Sequence, residues 1–249
     1  MGFCSAAGQR DELLRRFSSL ELRESSDDNA QASPQQSLSS NTAAVESLQD
    51  PENAKTLSVL MAALRKLREG IVASKRADDF AAQAYLFCIR LSILIKQPES
   101  YHPAILHLLR SIHARHALST VELQEVVCYL MLDAACRRRS LSEAYTLRKA
   151  YKVKDSKINT ALAAVAHDNY VMFHRVRKTV DGHRARLMEW AEKDLRLHTL
   201  KCFGQSYLSV DLAYLEESTN ANWEQLVKAD CVGWGLDDQK VIIRKIRAK

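Results

Sequence analysis

Glycine and proline are scarce: seven and four in 249 residues. A chain of short strands needs turn residues about every 8–12 positions. So few leave long helices with short connections as the way to bury a core, and 249 residues suffice for one. Hydrophobic residues at 47% and charged ones at 27% fit a globular protein.

The apolar spacing agrees from residue 54 onward. In 56–71, Leu57, Leu60, Met61, Leu64, Leu67 and Ile71 recur at three-four intervals on one face. In 79–95, Phe80, Ala84, Phe87, Leu91 and Leu94 share a face that Leu86, Ile89 and Ile93 widen, which predicts burial on most sides. Pro98 is expected to end that helix and Pro103 to open the next, over 103–115. Ser119 with Glu122, and Ser140 with Glu143, have capping-box spacing and predict helices at 120–137 and 141–152. Further helical patterns cover 156–167, 169–181 and 184–203.

The last residues change character. An extended piece and a helix are expected in 205–217, and a second helix at 221–229 around Trp223, Leu226 and Val227. Val232, Trp234 and Leu236 then alternate with Gly233 and Gly235. Asp237 and Asp238 mark a turn before the β-rich run of Lys240, Val241, Ile242, Ile243, Arg244, Lys245 and Ile246. Helix, helix and hairpin in that order are those of a winged helix, and two strands alone are marginal without helices to pack on. The hairpin's outer strand would leave an unpaired edge at Val241–Ile246.

Residues 1–53 form a tail and linker of different composition. Those at 24–53 are polar, with Pro34 and Pro51, and predict disorder; Leu13, Leu14, Phe17 and Leu20 would line one face of a short helix over 10–23. The tail holds four basic and nine acidic residues, a net −5, so the rest of the chain carries +11. No positive stretch followed by an apolar run opens the chain, so no secretory signal is expected. No run reaches the roughly 18 apolar residues of a membrane span.

The stretch Ala161-Leu-Ala-Ala-Val-Ala-His-Asp168, with Tyr170 and Phe173, resembles the segment of the PCI domain family where an Ala-rich helix face precedes an Asp-to-Phe spacing. The run from Asp194 to Leu200, leading to Tyr207-Leu-Ser-Val-Asp-Leu212, resembles that family's junction helix and its entry into the winged helix. The resemblance covers about 55–249 and is one of fold pattern. It is strongest to the small-subunit branch, which includes the smallest signalosome subunit, the small proteasome-lid subunit and the k subunit of translation initiation factor three. The mRNA-export branch is the close competitor. The resemblance implies a mainly α fold: a right-handed helical-repeat solenoid at 54–203, then a winged helix with a small β-hairpin at 204–249. It implies a non-catalytic scaffold that docks on other PCI or helical-repeat subunits, in nucleus or cytoplasm.

Chemistry-bearing patterns are few. Phosphate-cradling and dinucleotide glycine loops are missing, as is the nucleophile-elbow pattern. No cofactor and no small-molecule substrate is therefore expected. The six cysteines form no C-x-x-C pair, which suits a reducing compartment. His102, His107, His113 and His116 fall close together, yet no acidic residue completes a zinc motif, so surface or helix-end roles are expected. Trp190, Trp223 and Trp234 sit among apolar neighbours and are read as core anchors.

Basic clusters stand out. Residues 137–157 hold Arg137, Arg138, Arg139, Arg148, Lys149, Lys152, Lys154 and Lys157 against two acids, and 175–186 hold Arg175, Arg177, Lys178, Arg184 and Arg186 against one. The end adds Lys240, Arg244, Lys245, Arg247 and Lys249. If they converge, RNA is a candidate partner, gripped by its backbone. The stretch from Asn222 to Lys228 carries one Lys and one Glu, a poor surface for reading duplex bases.

Overall fold

The computed structural model describes residues 51–244, with side chains from Lys55. The expected tail helix at 10–23 and Lys245, Ile246 and Arg247 lie outside the described residues. The architecture is mainly helical with a small three-stranded antiparallel sheet at the C-terminal side.

The helices are α1 (Pro51–Ala73), α2 (Asp79–Leu94), α3 (Pro98–His107), α4 (Thr120–Leu132), α5 (Leu141–Ala150), α6 (Ser156–Ala166), α7 (Tyr170–Arg177) and α8 (Gly182–Ser206). Strand β1 (Ser209–Asp211), helices α9 (Leu212–Thr219) and α10 (Trp223–Lys228), and strands β2 (Gly235–Asp237) and β3 (Lys240–Ile242) follow. Helices pair along the chain: α2 with α3, α4 with α5, α6 with α7. Helix α8 packs against α2, α4 and α7. The pairs bury one continuous core, from Tyr85, Leu86 and Ile89 through Ile105 and Met131 to Ile158, Phe173 and Met188.

Most predicted helices are present, and the departures have local causes. Pro98 does not end α2; it opens α3 at the first helical positions, where a missing N–H costs nothing, and Pro103 lies inside that helix. Ser119 and Glu122 form a reciprocal capping box, but Ser140 makes no side-chain cap. Its expected partner Glu143 is held by Arg138 at 2.6 and 2.9 Å. Phe80 is exposed and lies under the Arg76 guanidinium at 4.7 Å, because the buried face of α2 is carried by Ala81, Tyr85, Leu86, Ile89 and Ile93.

Two helices end in π turns, Leu108–Ile112 and Asp133–Arg137. The second has a purpose visible in its geometry. A ring closed from i to i+5 brings residues i+4 and i+5 over residue i. Arg137 thus grips Asp133 at 2.6 and 3.0 Å while Arg138 donates to the same carboxylate at 3.0 Å. The Tyr101 hydroxyl adds a bond of 2.7 Å, and His102 Nδ1 stands 3.3 Å away. Asp133 is fully buried. Burial pushes its carboxyl pKa up, but the Arg137 and Tyr101 hydrogen bonds and both guanidinium charges overcome this and hold it below 3.8.

We expect Asp133→Asn to cost about 3 kcal/mol in urea unfolding, since it leaves the buried donors without their charge. Tyr101→Phe, which removes one donor, costs about 1–2 kcal/mol. Because the folded-state pKa is depressed, Asp133 stabilises the fold above the unfolded value of 3.8 and loses that effect as pH falls through the folded value. The gap between wild type and Asp133→Asn closes in acid.

Candidate protein-docking site

The C-terminal module forms around α8. Its last turns supply Leu200 and Phe203 to a second apolar cluster with Val210, Leu215, Ala221, Leu226 and Val241, against which Trp223, Trp234 and Ile243 pack. The module is clasped to α8 by Arg196, whose Nε lies 2.7 Å from Asp230 Oδ2, with the Asp230 side chain fully buried.

The strand order is β1-β3-β2, both pairs antiparallel. For Val241 and Ile242 this corrects the expected free edge at Val241–Ile246. The extended piece before α9 is a third strand, so β3 lies in the middle: Val241 faces Val210 on one side and Leu236 on the other. Val241 is buried, Ile242 and Ile243 are half-buried and Arg244 is exposed. The Ile243 and Arg244 amides donate to the Leu208 carbonyl, so the chain stays bound to β1 past the end of the strand. Strand β3 covers Lys240–Ile242, and Ile243 and Arg244 of the expected run lie beyond it.

Among the described residues β1 and β2 are the outer strands of the sheet. Leu212 donates to the Gln239 carbonyl and Ile243 to that of Leu208, which puts the backbone bonds of Val210 and Val241 on each other. By alternation the backbone N–H and C=O of Ser209 and Asp211 point away from β3, and on β2 those of Leu236 do so. All three residues of β2 are exposed. Around the edges stand exposed apolar side chains, Tyr207, Leu208, Tyr214 and Leu236. Tyr207 and Tyr214 lie 5.3 and 5.8 Å from the buried Phe203 ring, which holds them in place. Burial raises the Tyr170 phenol pKa, with Tyr214 and Tyr207 close by, so three tyrosines gather where α7 meets the module.

The basic clusters do not converge whole, because several of their cations are held in ion pairs. Arg137 and Arg138 belong to the Asp133 network. Arg139 pairs with Asp194, and Arg177 pairs with Glu189 and Glu192, all on α8. These four cations are neutralised by carboxylates, of which Asp194 lies far along the sequence from its partner Arg139. Arg148, Lys149, Lys152, Arg175 and Lys178 are exposed, and no carboxylate among the described residues lies within ion-pair distance of them. Arg244 is exposed beyond β3.

The four histidines find separate partners. His107 stacks on Tyr85 at 5.1 Å, the His113 ring accepts from the Leu118 amide at 3.1 Å, His116 lies 2.7 Å from Asp79, and His102 stands by Asp133. Among the described residues no His, Cys, Asp or Glu group has the arrangement to hold a metal ion. No helix among them is long and apolar enough to cross a membrane. Cys88, Cys128 and Cys136 are buried, and burial pushes the Cys136 thiol up to about 12. Cys202 and Cys231 are exposed. The three tryptophans are partly buried against the two cores.

Comparison of the chain with protein-family models and with curated protein sequences gives no match.

The clasp makes a local prediction. Arg196→Ala leaves Asp230 buried and unpaired, so hydrogen exchange of 207–244 rises while that of α2 to α6 stays protected. A second prediction concerns His174 on α7. Burial, then the charges of Arg177, Lys178 and Arg196, lower its pKa from 6.5 to about 4. The unfolded chain therefore binds a proton there that the folded chain rejects, and stability falls as pH drops from 6.5 to about 4. In urea titrations across this window, His174→Gln has the shallower pH slope.

Proposed function

We propose that this chain is a non-catalytic scaffold subunit of a multi-subunit complex, built on the plan of a PCI domain and docking through its C-terminal module. One observation carries the reading. The end of α8, β1, α9, α10, β2 and β3 follow one another in that order, with β1 beside β3. We read that order and pairing as those of a winged helix following the paired helices, which supports the resemblance at 161–173 and 194–212. The stack is read as the degenerate solenoid of that family.

The surface supports docking in physical terms. An open strand edge offers unpaired amides and carbonyls to a partner strand. Exposed tyrosine and leucine beside it supply the apolar area that interfaces favour. The partners are then other helical-repeat subunits, in the nucleus or cytoplasm.

The test is purification of the tagged chain from its native cells, with and without ribonuclease, followed by mass spectrometry. A stoichiometric set of helical-repeat subunits is expected to survive ribonuclease. Leu236→Lys, at an exposed side chain on the β2 edge, is expected to keep the circular dichroism spectrum and lose that set. Retention of the set by this variant removes the edge from the interface, and partners that vanish with ribonuclease overturn the scaffold reading.

A further inference from the structure

The basic cluster at 137–157 is divided by the fold. Arg137, Arg138 and Arg139 are neutralised at one end of α4. Arg148, Lys149, Lys152, Lys154 and Lys157 follow at the end of α5 and the start of α6. There the chain meets the α7–α8 connection. Arg184 Nη1 lies 3.0 Å from Asp155 Oδ2, and the Lys157 ammonium donates to the Thr179 carbonyl. Gln124 of α4 donates to the Tyr151 carbonyl at 3.4 Å. These bonds bring Lys178, and Arg175 one turn before it, to the same end of the stack. The fold thus gathers cations from two separated stretches.

The acids at this end are already occupied. Asp155 accepts the Lys157 and Ile158 amides that start α6 and pairs with Arg184. Asp181 accepts the Arg184 amide at the start of α8 and pairs with the same guanidinium. Helix dipoles account for Arg148, Lys149 and Lys178, which sit at helix C-termini. They work against Lys154 and Lys157, beside the N-terminus of α6. Fold stability thus gives no reason for positive charge at Lys154, whereas a bound polyanion does.

Tyr145 distinguishes among polyanions. Its ring is exposed at 37%, with the Arg148 guanidinium 5.5 Å from the centroid. An aromatic face beside a guanidinium is a platform for an unstacked base, and cellular RNA presents such bases in loops and ends. An acidic protein segment would meet that ring only as apolar contact area, whereas an unpaired base stacks on it.

We propose that this end of the helical stack binds single-stranded RNA, with Lys149, Lys152, Lys154, Lys157, Arg175 and Lys178 along the phosphates and Tyr145 under a base. The proposal is independent of the docking module and of the complex that module joins.

The test uses the full chain and fluorescence anisotropy with a labelled oligouridine of about 20 nucleotides, from 50 to 200 mM salt. Binding is expected to weaken with salt at a log–log slope near −4, about −0.7 per phosphate for six contacts. Lys149→Glu/Lys152→Glu/Lys154→Glu is expected to lower affinity at least ten-fold and to reduce the slope by about 2. Tyr145→Ala lowers affinity about five-fold with the slope unchanged. The control Lys66→Glu/Lys193→Glu/Lys201→Glu makes the same change in net charge at exposed sites elsewhere and is expected to bind as wild type. Equal losses in the two triple variants reduce the effect to net charge and overturn the proposal. So does a duplex of the same length binding as tightly, or polyglutamate displacing the RNA at equal charge concentration. Should the glutamate variant lose helix content, the three glutamine substitutions replace it, with an affinity loss of at least five-fold expected and an unchanged affinity overturning the proposal.

Discussion

Helix α8 serves two cores with one uninterrupted backbone. Its first half buries Leu187, Met188, Ala191 and Leu195 against the paired helices, and its last turns bury Leu200 and Phe203 under the sheet. Twenty-five residues of helix without a proline impose a continuous axis. The small module is therefore built onto a strut that the larger core already holds. A three-stranded sheet of three-residue strands has little stability of its own, and the second cluster becomes a core only because α8 forms its floor. The buried Arg196–Asp230 pair fixes the same strut to the loop after α10.

The same helix decides which charges remain. Its carboxylates at Glu189, Glu192 and Asp194 take up Lys96, Arg177 and Arg139 from three other segments. Burial raises the Glu192 pKa, whereas the nearby cations outweigh burial and lower that of Glu189. Ion pairs of this kind stabilise little in themselves, but they leave few alternative ways to seat α8 across α2 and α7. Their second consequence is subtractive. They neutralise Arg139 and Arg177 and leave the lysines at the far end of α5, where the proposed RNA contact lies. The proposed docking edge and the proposed RNA end draw on different elements, so each can be broken by substitutions that leave the other's residues in place.

Much of the fold was legible along the chain. The three-four spacing in α1, α2 and α6 and the Ser119–Glu122 box each depend on residues within one or two turns, and each prediction was met within a few residues. Local signals failed where another group or face competed. Ser140 lost its expected box because Arg138 holds Glu143, and Phe80 left the buried face because Ala81, Tyr85, Leu86, Ile89 and Ile93 carry it. The site was less legible. The β-branched run through Val241 and Ile242 identifies a strand but carries no information about how many neighbours it has. The seven residues from Leu208 to Tyr214 include only three in β1, too short to announce a pairing.

The sequence by itself determined the helical class of the protein, the position of most helices and the extended C-terminal run, because propensity, capping and periodicity act between residues a turn or two apart. Only the tertiary structure decided that β3 is a central strand, that Asp133 is a buried hub gripped by consecutive arginines, and that three cations of the 137–157 cluster are paired with carboxylates while, among the described residues, the other five are not. Those outcomes depend on which carboxylate or strand lies within a few ångströms in space. Val241 meets Val210 across 31 positions of sequence and Arg139 meets Asp194 across 55, and no local spacing encodes such encounters.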